Sequence, residues 1–196
     1  MITRCCDDRL NPPWDRPSLC AGWRVRDVAA HLTLGTSVGL GRGTIEFARA
    51  LGNINRMIHD TAVRKADAVS TDQVVADLRA AAQSRRRPPG TSHLDPLSDV
   101  LVHGQDIALA LGRHREIPLD AAVVAADRDW TMGFPFWARR RLSGLRLTAT
   151  DVDWSVGAGA PVEGPIAALL LIITGRPAMI PALTGSGVAG LPRLSR

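Results

Sequence analysis

Before residue 135, apolar side chains recur every three or four residues, which is the spacing of amphipathic helices. The first pattern begins near Arg24, because the prolines of the preceding segment interrupt regular helix. Asp27 falls in its first turn, where the helix dipole favours an acid. The glycine-rich segment over residues 35–43 predicts a break. Further helical patterns cover residues 45–51, 53–66, 70–82, 95–111 and 120–133.

Two of these helices carry capping signals. Ser70 followed by Gln73 is typical of a capping box, in which a side-chain oxygen accepts a bond from the backbone N–H three residues later. Asp95 as the N-cap and Pro96 at the first helical position predict the start of the next helix. Gly112 predicts a left-handed cap at its end. This helix is the one that the sequence defines best.

The pattern changes beyond Pro135. Residues 145–150 alternate between apolar and polar side chains, and residues 154–156 and 161–163 flank a turn of glycine and alanine, so short strands are predicted. Pro165 begins a buried helix and Gly175 ends it. The predicted fold class is therefore mainly α, with a helical bundle over residues 1–135 and a small strand-strand-helix module, of α/β type, over residues 136–196.

The formal charge of +5 and the pI near 10.3 raise the question of nucleic-acid binding. Two runs of three arginines, at residues 85–87 and 139–141, offer phosphate contacts. However, Lys65 is the single lysine, the aromatic fraction is 4% and there is no tyrosine, so few side chains can stack on bases. The arginines are better explained as solvated loop residues in the product of a GC-rich genome, and no nucleic-acid partner is expected.

The cysteines and the apolar runs bear on localisation. Cys5, Cys6 and Cys20 are odd in number and lack the spacing of a zinc knuckle or a disulfide framework, which indicates a reducing compartment. No base lies beside Cys20 in the sequence to activate its thiol, so Cys20 is interpreted as a packing residue. The longest apolar run, Ile166–Ile173, is too short to cross a bilayer. A cytoplasmic protein without membrane contact is expected.

The well-capped helix carries the candidate chemistry. Asp99, His103 and Asp106 occupy positions i, i+4 and i+7, so they project from one face of this otherwise apolar helix. A carboxylate and an imidazole one turn apart form a natural pair of metal ligands. His31 is the best candidate for the third ligand, because it lies in mid-helix beside an apolar stripe. Two imidazoles and one carboxylate leave coordination positions open, as catalytic sites do.

This pattern leaves alternatives open. His31 and His103 can also be two separate hydrogen-bonded core histidines, with Asp99 merely placed near the start of its helix. For the metal interpretation, zinc is the first choice, and nickel, manganese and ferrous iron are the others. His59, one turn after Asn55 and Arg56, can line a cavity of the bundle, or lie at the surface.

Three segments carry a family resemblance. Residues 14–32, WDRPSLCAGWRVRDVAAHL, and residues 102–107, VHGQDI, resemble two signatures of the mycothiol-dependent maleylpyruvate isomerase family, which is a branch of the DinB-like metal-binding bundles. Residues 164–177, from GPIAA to TGRP, are similar to the C-terminal module of that family. The resemblance extends over roughly residues 14–190 and implies a DinB-like four-helix bundle followed by the small α/β module.

The resemblance also implies a chemistry. It places one divalent metal on His31, Asp99 and His103, and it makes mycothiol the thiol co-substrate of an S-transferase or isomerase that acts on a small electrophile. Arg176 and Asp106 are then the expected catalytic residues. Arg176 is expected to bind a substrate carboxylate and the thiol cofactor, or else to stabilise the end of a helix, and Asp106 to orient His103 or a metal-bound water. His59 is a further candidate for cofactor binding.

The chain differs from the family at one proposed metal ligand, and an alternative function is open. The family usually has Glu where this chain has Asp99, and a carboxylate shorter by one methylene alters metal coordination, so isomerase activity itself does not follow. The alternative is a non-catalytic metal-binding bundle that binds a small ligand or a protein partner, with a homodimer formed through apolar helix faces as one arrangement.

Overall fold

The fold consists of α-helices and one small sheet. The computed structural model describes residues 12–37, 40–86 and 91–192, and the cysteines at positions 5 and 6, Arg87 and the Pro-Pro-Gly segment at 88–90 lie outside them. The first five helices are α1 (Val25–Ser37), α2 (Leu40–Arg49), α3 (Ile54–Ala68), α4 (Thr71–Ala82) and α5 (Leu94–Ala110). After these come α6 (Leu119–Thr131), α7 (Ala138–Arg141), β1 (Leu145–Ala149), β2 (Ser155–Gly157), β3 (Ala160–Gly164) and α8 (Ile166–Ile173).

The chain divides into two compact units. The first comprises the described residues up to Pro96 together with His103–His114, and the second comprises Leu97–Val102 and the described residues from Arg115 onward. Helix α5 contributes to both units, and α6 belongs to the second. The sequence assigns α6 to the bundle instead, and the boundary that it indicates at residue 135 stays a prediction. The predicted fold class, mainly α with a small α/β module, is confirmed.

Helix α1 organises the first unit, because it packs against both α3 and α4, while α2 packs against α3. The buried cluster beside α1 contains Trp23, Val28 and Ala62. Asn53 caps α3 by accepting a hydrogen bond from the backbone of Arg56. The predicted cap at Ser70 is confirmed, since its hydroxyl accepts from the backbone N–H of Gln73 at 3.2 Å. Each cap supplies a partner for one backbone N–H group in the first turn of its helix, where the N–H groups have no partner within the helix.

The predicted start of α5 needs correction, whereas the predicted end is confirmed. Helix α5 begins at Leu94, so Asp95 and Pro96 lie in its first turn and Asp95 is not the N-cap. The Asp95 carboxylate instead accepts a bond from the backbone N–H of Ser92 at 2.7 Å, which stabilises the turn before the helix. Gly112 does adopt the predicted left-handed conformation, with φ of +66°.

The glycine-rich segment interrupts the helices less than predicted. Helix α1 continues through Gly35 to Ser37, and α2 begins at Leu40 and includes Gly41 and Gly43. The two residues between these helices lie outside the described part of the chain. Glycine costs a helix only about 1 kcal/mol per residue, so packing of the flanking turns can keep such a segment helical.

The second unit is a three-stranded sheet covered by a buried helix. The strand order is β2-β1-β3, with β1 antiparallel to β2 and parallel to β3. Helix α8 connects directly to β3 and packs against β1, β3 and α6. Nearly every side chain of α8 is buried, which explains its continuous apolar sequence. No helix in the described part of the chain has the length and hydropathy that crossing a bilayer requires.

Candidate metal centre

A hydrogen-bonded turn over residues 18–23 comes directly before α1. The Ser18 hydroxyl donates to the Trp23 carbonyl at 2.9 Å and accepts from the backbone N–H of Cys20 at 3.1 Å. Gly22 lies in this turn with φ of +77°, a conformation that favours glycine. The backbone N–H of Leu19 also donates to the carbonyl of Asp106 at 3.3 Å. The turn therefore places Cys20 and Trp23 against the face of α5 that carries His103 and Asp106.

Asp27 and Arg24 fix the start of α1. The Asp27 carboxylate accepts the backbone N–H of Arg24 at 2.7 Å and two guanidinium bonds at 2.9 and 2.8 Å. The bonds to Asp27, and then to Asp67, raise the pKa of the Arg24 guanidinium above its usual range. Asp27 is thus engaged at the helix start, as predicted for a first-turn acid, although it lies four residues before His31 as a metal ligand would.

His31 on α1 and His103 on α5 face each other. Their ring centroids lie 4.9 Å apart with the ring planes at 80°. Asp99 lies one turn before His103 on α5, and its side chain is exposed. One donor atom from each of His31, Asp99 and His103 can be chosen so that all three lie within 4.8 Å of one another. The structure thus brings together the three residues that the sequence singled out.

These three residues fit a divalent ion. Ligands that share one ion through bonds of roughly 2.0 to 2.2 Å lie at most about 4.4 Å apart, so small side-chain adjustments suffice. Imidazole and carboxylate donors suit zinc, nickel, manganese and ferrous iron.

Asp106 and Cys20 lie near the Nδ1 atom of the His103 ring. The Nδ1 atom of His103 lies 2.9 Å from Oδ2 of Asp106, and the Cys20 thiol donates to the same oxygen at 3.0 Å. Asp106 is fully buried, whereas the His103 side chain is 12% exposed. A buried carboxylate at Nδ1 favours the imidazole tautomer that carries its proton there, which leaves the Nε2 lone pair for a metal.

The Trp23 ring contacts His31, His103 and a third histidine, His59. Its ring centroid lies 5.1 Å from that of His31 and 6.1 Å from those of His103 and His59. His59 is half-exposed, and its Nδ1 lies 3.1 Å from a carboxylate oxygen of Asp60. This hydrogen bond lowers the pKa of the Asp60 carboxyl. His59 therefore lies beside the Trp23 ring, and its role in binding stays a prediction.

Arg176 lies in the second unit, in the turn after α8. Its guanidinium donates to the carbonyl of Thr174 at 2.9 Å, where α8 ends. Arg141 likewise donates to the carbonyls of Ile172 and Ile173, and burial lowers the pKa of its guanidinium. The contact at Thr174 corresponds to the structural alternative for Arg176, a cation beside a helix C-terminus. Binding of a carboxylate by Arg176 stays a prediction.

Cys20 and Trp23 are the site residues that the sequence interpretation missed. Cys20 does pack against the buried cluster, but it also donates a hydrogen bond to Asp106, so the interpretation as a packing residue is incomplete. With His103 and Asp106, Cys20 forms a second group of donor atoms within 4.8 Å. The roles assigned from the sequence to His31, Asp99, His103, Asp106 and His59 stay predictions.

The fold and the site together define a helical-bundle protein with a candidate metal centre of histidine and carboxylate ligands. The family model described as the mycothiol maleylpyruvate isomerase N-terminal domain matches residues 2–108, which is more than half of the chain. The chain belongs to this family, which confirms the resemblance seen in its motifs.

Comparison of structures gives a consistent result. The chain is similar to a structure described as the crystal structure of the mycothiol-dependent maleylpyruvate isomerase, with a TM-score of 0.56 and 18% sequence identity. The match covers 94% of this chain and 86% of that one. At this identity the similarity shows the fold alone. No curated protein sequence matches the chain significantly.

Proposed function

We propose that this protein is a metal-dependent enzyme that uses mycothiol as a thiol co-substrate and transfers it to, or isomerises, a small electrophile. The grouping of His31, Asp99 and His103 within 4.8 Å, in a chain of this family, is the observation that carries the proposal. The mycothiol dependence named for the similar solved structure supports the choice of thiol.

His31, Asp99 and His103 would hold the ion, with zinc as the first choice and nickel, manganese or iron as the others. When bound there, a divalent cation favours thiolate over thiol at neutral pH and so supplies a sulfur nucleophile. Asp106 holds the Nδ1 proton of His103, which keeps Nε2 available as a ligand atom. The Trp23 ring packs against both imidazoles and limits water on that side.

The remaining predicted site residues serve binding in this proposal. His59 lies beside the Trp23 ring, which also contacts the two metal-binding histidines, and it offers a polar ring to the thiol co-substrate. Arg176 offers a guanidinium, which is suited to bidentate binding of a carboxylate. The Asp99 side chain is one methylene shorter than the glutamate usual in the family, so the substrate need not be maleylpyruvate.

An activity screen tests this function. Zinc-loaded protein is incubated with mycothiol and a panel of electrophiles that includes maleylpyruvate, and adducts and isomers are measured by chromatography and mass spectrometry. We expect product formation at least about 100-fold above that of the His31→Ala variant, because a Lewis-acid metal contributes several kcal/mol to a barrier and about 1.4 kcal/mol is tenfold in rate. His114→Ala, which alters an exposed loop histidine, is the matched control.

Two results would contradict the proposal. Equal rates of product formation in wild type and His31→Ala would show that the metal centre takes no part in the reaction. If zinc-loaded wild type gives no product with any electrophile while it binds zinc tightly, the non-catalytic alternative, a metal-binding bundle that binds a small ligand or a partner, takes its place.

A separate substitution tests Arg176. Arg176→Ala is expected to lower the free energy of unfolding by about 1 kcal/mol, because a cation is lost beside the C-terminus of α8. Thermal unfolding measures this, with Arg146→Ala, an exposed arginine of strand β1 that is not at a helix end, as the control. Carboxylate binding further requires that KM rise for a carboxylate-bearing electrophile and not for an uncharged one. Equal changes for both substrates would assign Arg176 to the helix end alone.

A further inference from the structure

Cys20 is placed to influence His103 through the buried carboxylate of Asp106. The thiol is partly buried and packs against the cluster of Trp23, Val28 and Ala62. Its sulfur lies 3.0 Å from Oδ2 of Asp106 and 3.5 Å from Nδ1 of His103. A packing role alone would not require the sulfur to be within hydrogen-bonding distance of a buried carboxylate.

The positions of the protons in the Cys20, His103 and Asp106 cluster follow from which atoms can donate hydrogen bonds. An ionised carboxylate only accepts hydrogen bonds, so both the Cys20 thiol and the His103 Nδ1–H donate to Oδ2 of Asp106. An imidazole whose single ring proton is at Nδ1 carries its lone pair on Nε2. Asp106 is completely buried, so it needs such donors to balance the cost of taking a charge out of water.

The two donors come from different parts of the chain. Asp106 and His103 are three residues apart on α5, whereas Cys20 belongs to the turn before α1. That turn is itself tied to α5 by the bond from the backbone N–H of Leu19 to the Asp106 carbonyl. The Cys20 thiol therefore restricts rotation of the Asp106 side chain by a contact from outside helix α5.

We propose that Cys20 is a positioning residue of the candidate metal centre. The Cys20 thiol donates to Asp106 and so holds the carboxylate against Nδ1 of His103. The carboxylate in turn fixes the tautomer and the orientation of the His103 ring in which Nε2 is the coordinating atom. The inference rests on the proposed function only in taking His103 as a metal ligand. Partners of this kind, bonded to a ligand and not to the metal, affect metal affinity by about 10- to 100-fold.

The distances also permit a different arrangement. One donor atom from each of Cys20, His103 and Asp106 lies within 4.8 Å of the others, so these three residues could bind a metal themselves. Positioning is favoured because the hydrogen bonds already satisfy the buried carboxylate. It is also favoured because direct ligation by the three residues would turn Nδ1, and not Nε2, of His103 to the ion.

Two substitutions at one position test the inference. Cys20→Ala removes the donor, and Cys20→Ser keeps a donor of similar size. We measure zinc affinity by competition with a chelator and the tautomer of His103 by ¹⁵N NMR in metal-free protein. Cys20→Ala is expected to weaken zinc binding at least about tenfold and to populate both tautomers, while Cys20→Ser stays close to wild type in both measurements. Circular dichroism of each variant verifies that the helices are retained.

Several outcomes would overturn the inference. It is wrong if Cys20→Ala keeps the zinc affinity and the single tautomer of wild type, or if Cys20→Ser and Cys20→Ala lose them equally, as loss of packing would cause. A thiolate-to-metal charge-transfer band in cobalt-substituted wild type that disappears in Cys20→Ser would show that Cys20 is a ligand instead. Neither readout involves turnover, so failure of the activity screen leaves the result intact. If wild type does not bind zinc, the proposed function fails and the tautomer measurement still decides the role of Cys20.

Discussion

Replacing His103 with alanine is expected to lower zinc affinity by more than about 100-fold, because loss of a bonded partner of a ligand alone costs about 10- to 100-fold and here a ligand itself is removed. His103 is the residue common to both groups of donor atoms within the described part of the chain. The substitution therefore removes the metal whichever group holds it. Calorimetry, or competition with a chelator, measures the affinity.

The matched control is His114→Ala, which removes an exposed imidazole from a loop and should leave zinc affinity unchanged. Asp99→Glu extends the series, because it keeps the carboxylate and lengthens the side chain by one methylene. Retained zinc binding in Asp99→Glu with strong loss in Asp99→Ala would agree with a carboxylate ligand on α5. Wild-type affinity in His103→Ala would refute the metal centre altogether.

The helices were largely predictable because their signals are local. The Ser70 cap depends on two residues three positions apart, and the left-handed end of α5 depends on a single glycine, Gly112. The start of α5 was misplaced because Asp95 accepts a hydrogen bond from Ser92, before the helix, and an acid in a first turn resembles an N-cap in sequence. How far α1 continues into the glycine-rich segment depends on packing against other helices, and a local sequence pattern does not show such packing.

The candidate site was predictable where its residues share a helix. Asp99, His103 and Asp106 follow from helical spacing, and His31 from its place beside an apolar stripe, with the family motifs adding weight to the choice. Cys20 was not predictable in this way. Its partners Asp106 and His103 lie 86 and 83 residues further along the chain, so no base is visible near it in the sequence. The turn around Gly22 was the available signal, because it shows that the chain reverses direction beside Cys20.

Replacing Trp23 with alanine is expected to lower the free energy of unfolding by about 3 kcal/mol, since removing a large buried aromatic side chain typically costs about 3 to 5 kcal/mol. Trp23 is only 8% exposed and packs with Val28 and Ala62. In a protein of this size, the loss corresponds to a decrease in Tm of roughly 6 to 12 °C. Thermal and urea unfolding followed by circular dichroism measure it, and Trp137→Ala, at a tryptophan that is 56% exposed, is the control.

Trp23→Ala is also expected to affect zinc binding at the candidate metal centre. Trp23 contacts the rings of His31, His103 and His59, so its loss frees the imidazoles to rotate while it also opens a cavity in the core. We therefore expect Trp23→Ala to weaken zinc binding even at a temperature where the variant is fully folded, whereas Trp23→Phe, which keeps an aromatic ring, retains most of the affinity. If Trp23→Ala destabilises the protein but binds zinc like wild type, Trp23 serves the core alone, and the ligands are held by their own helices and by Asp106.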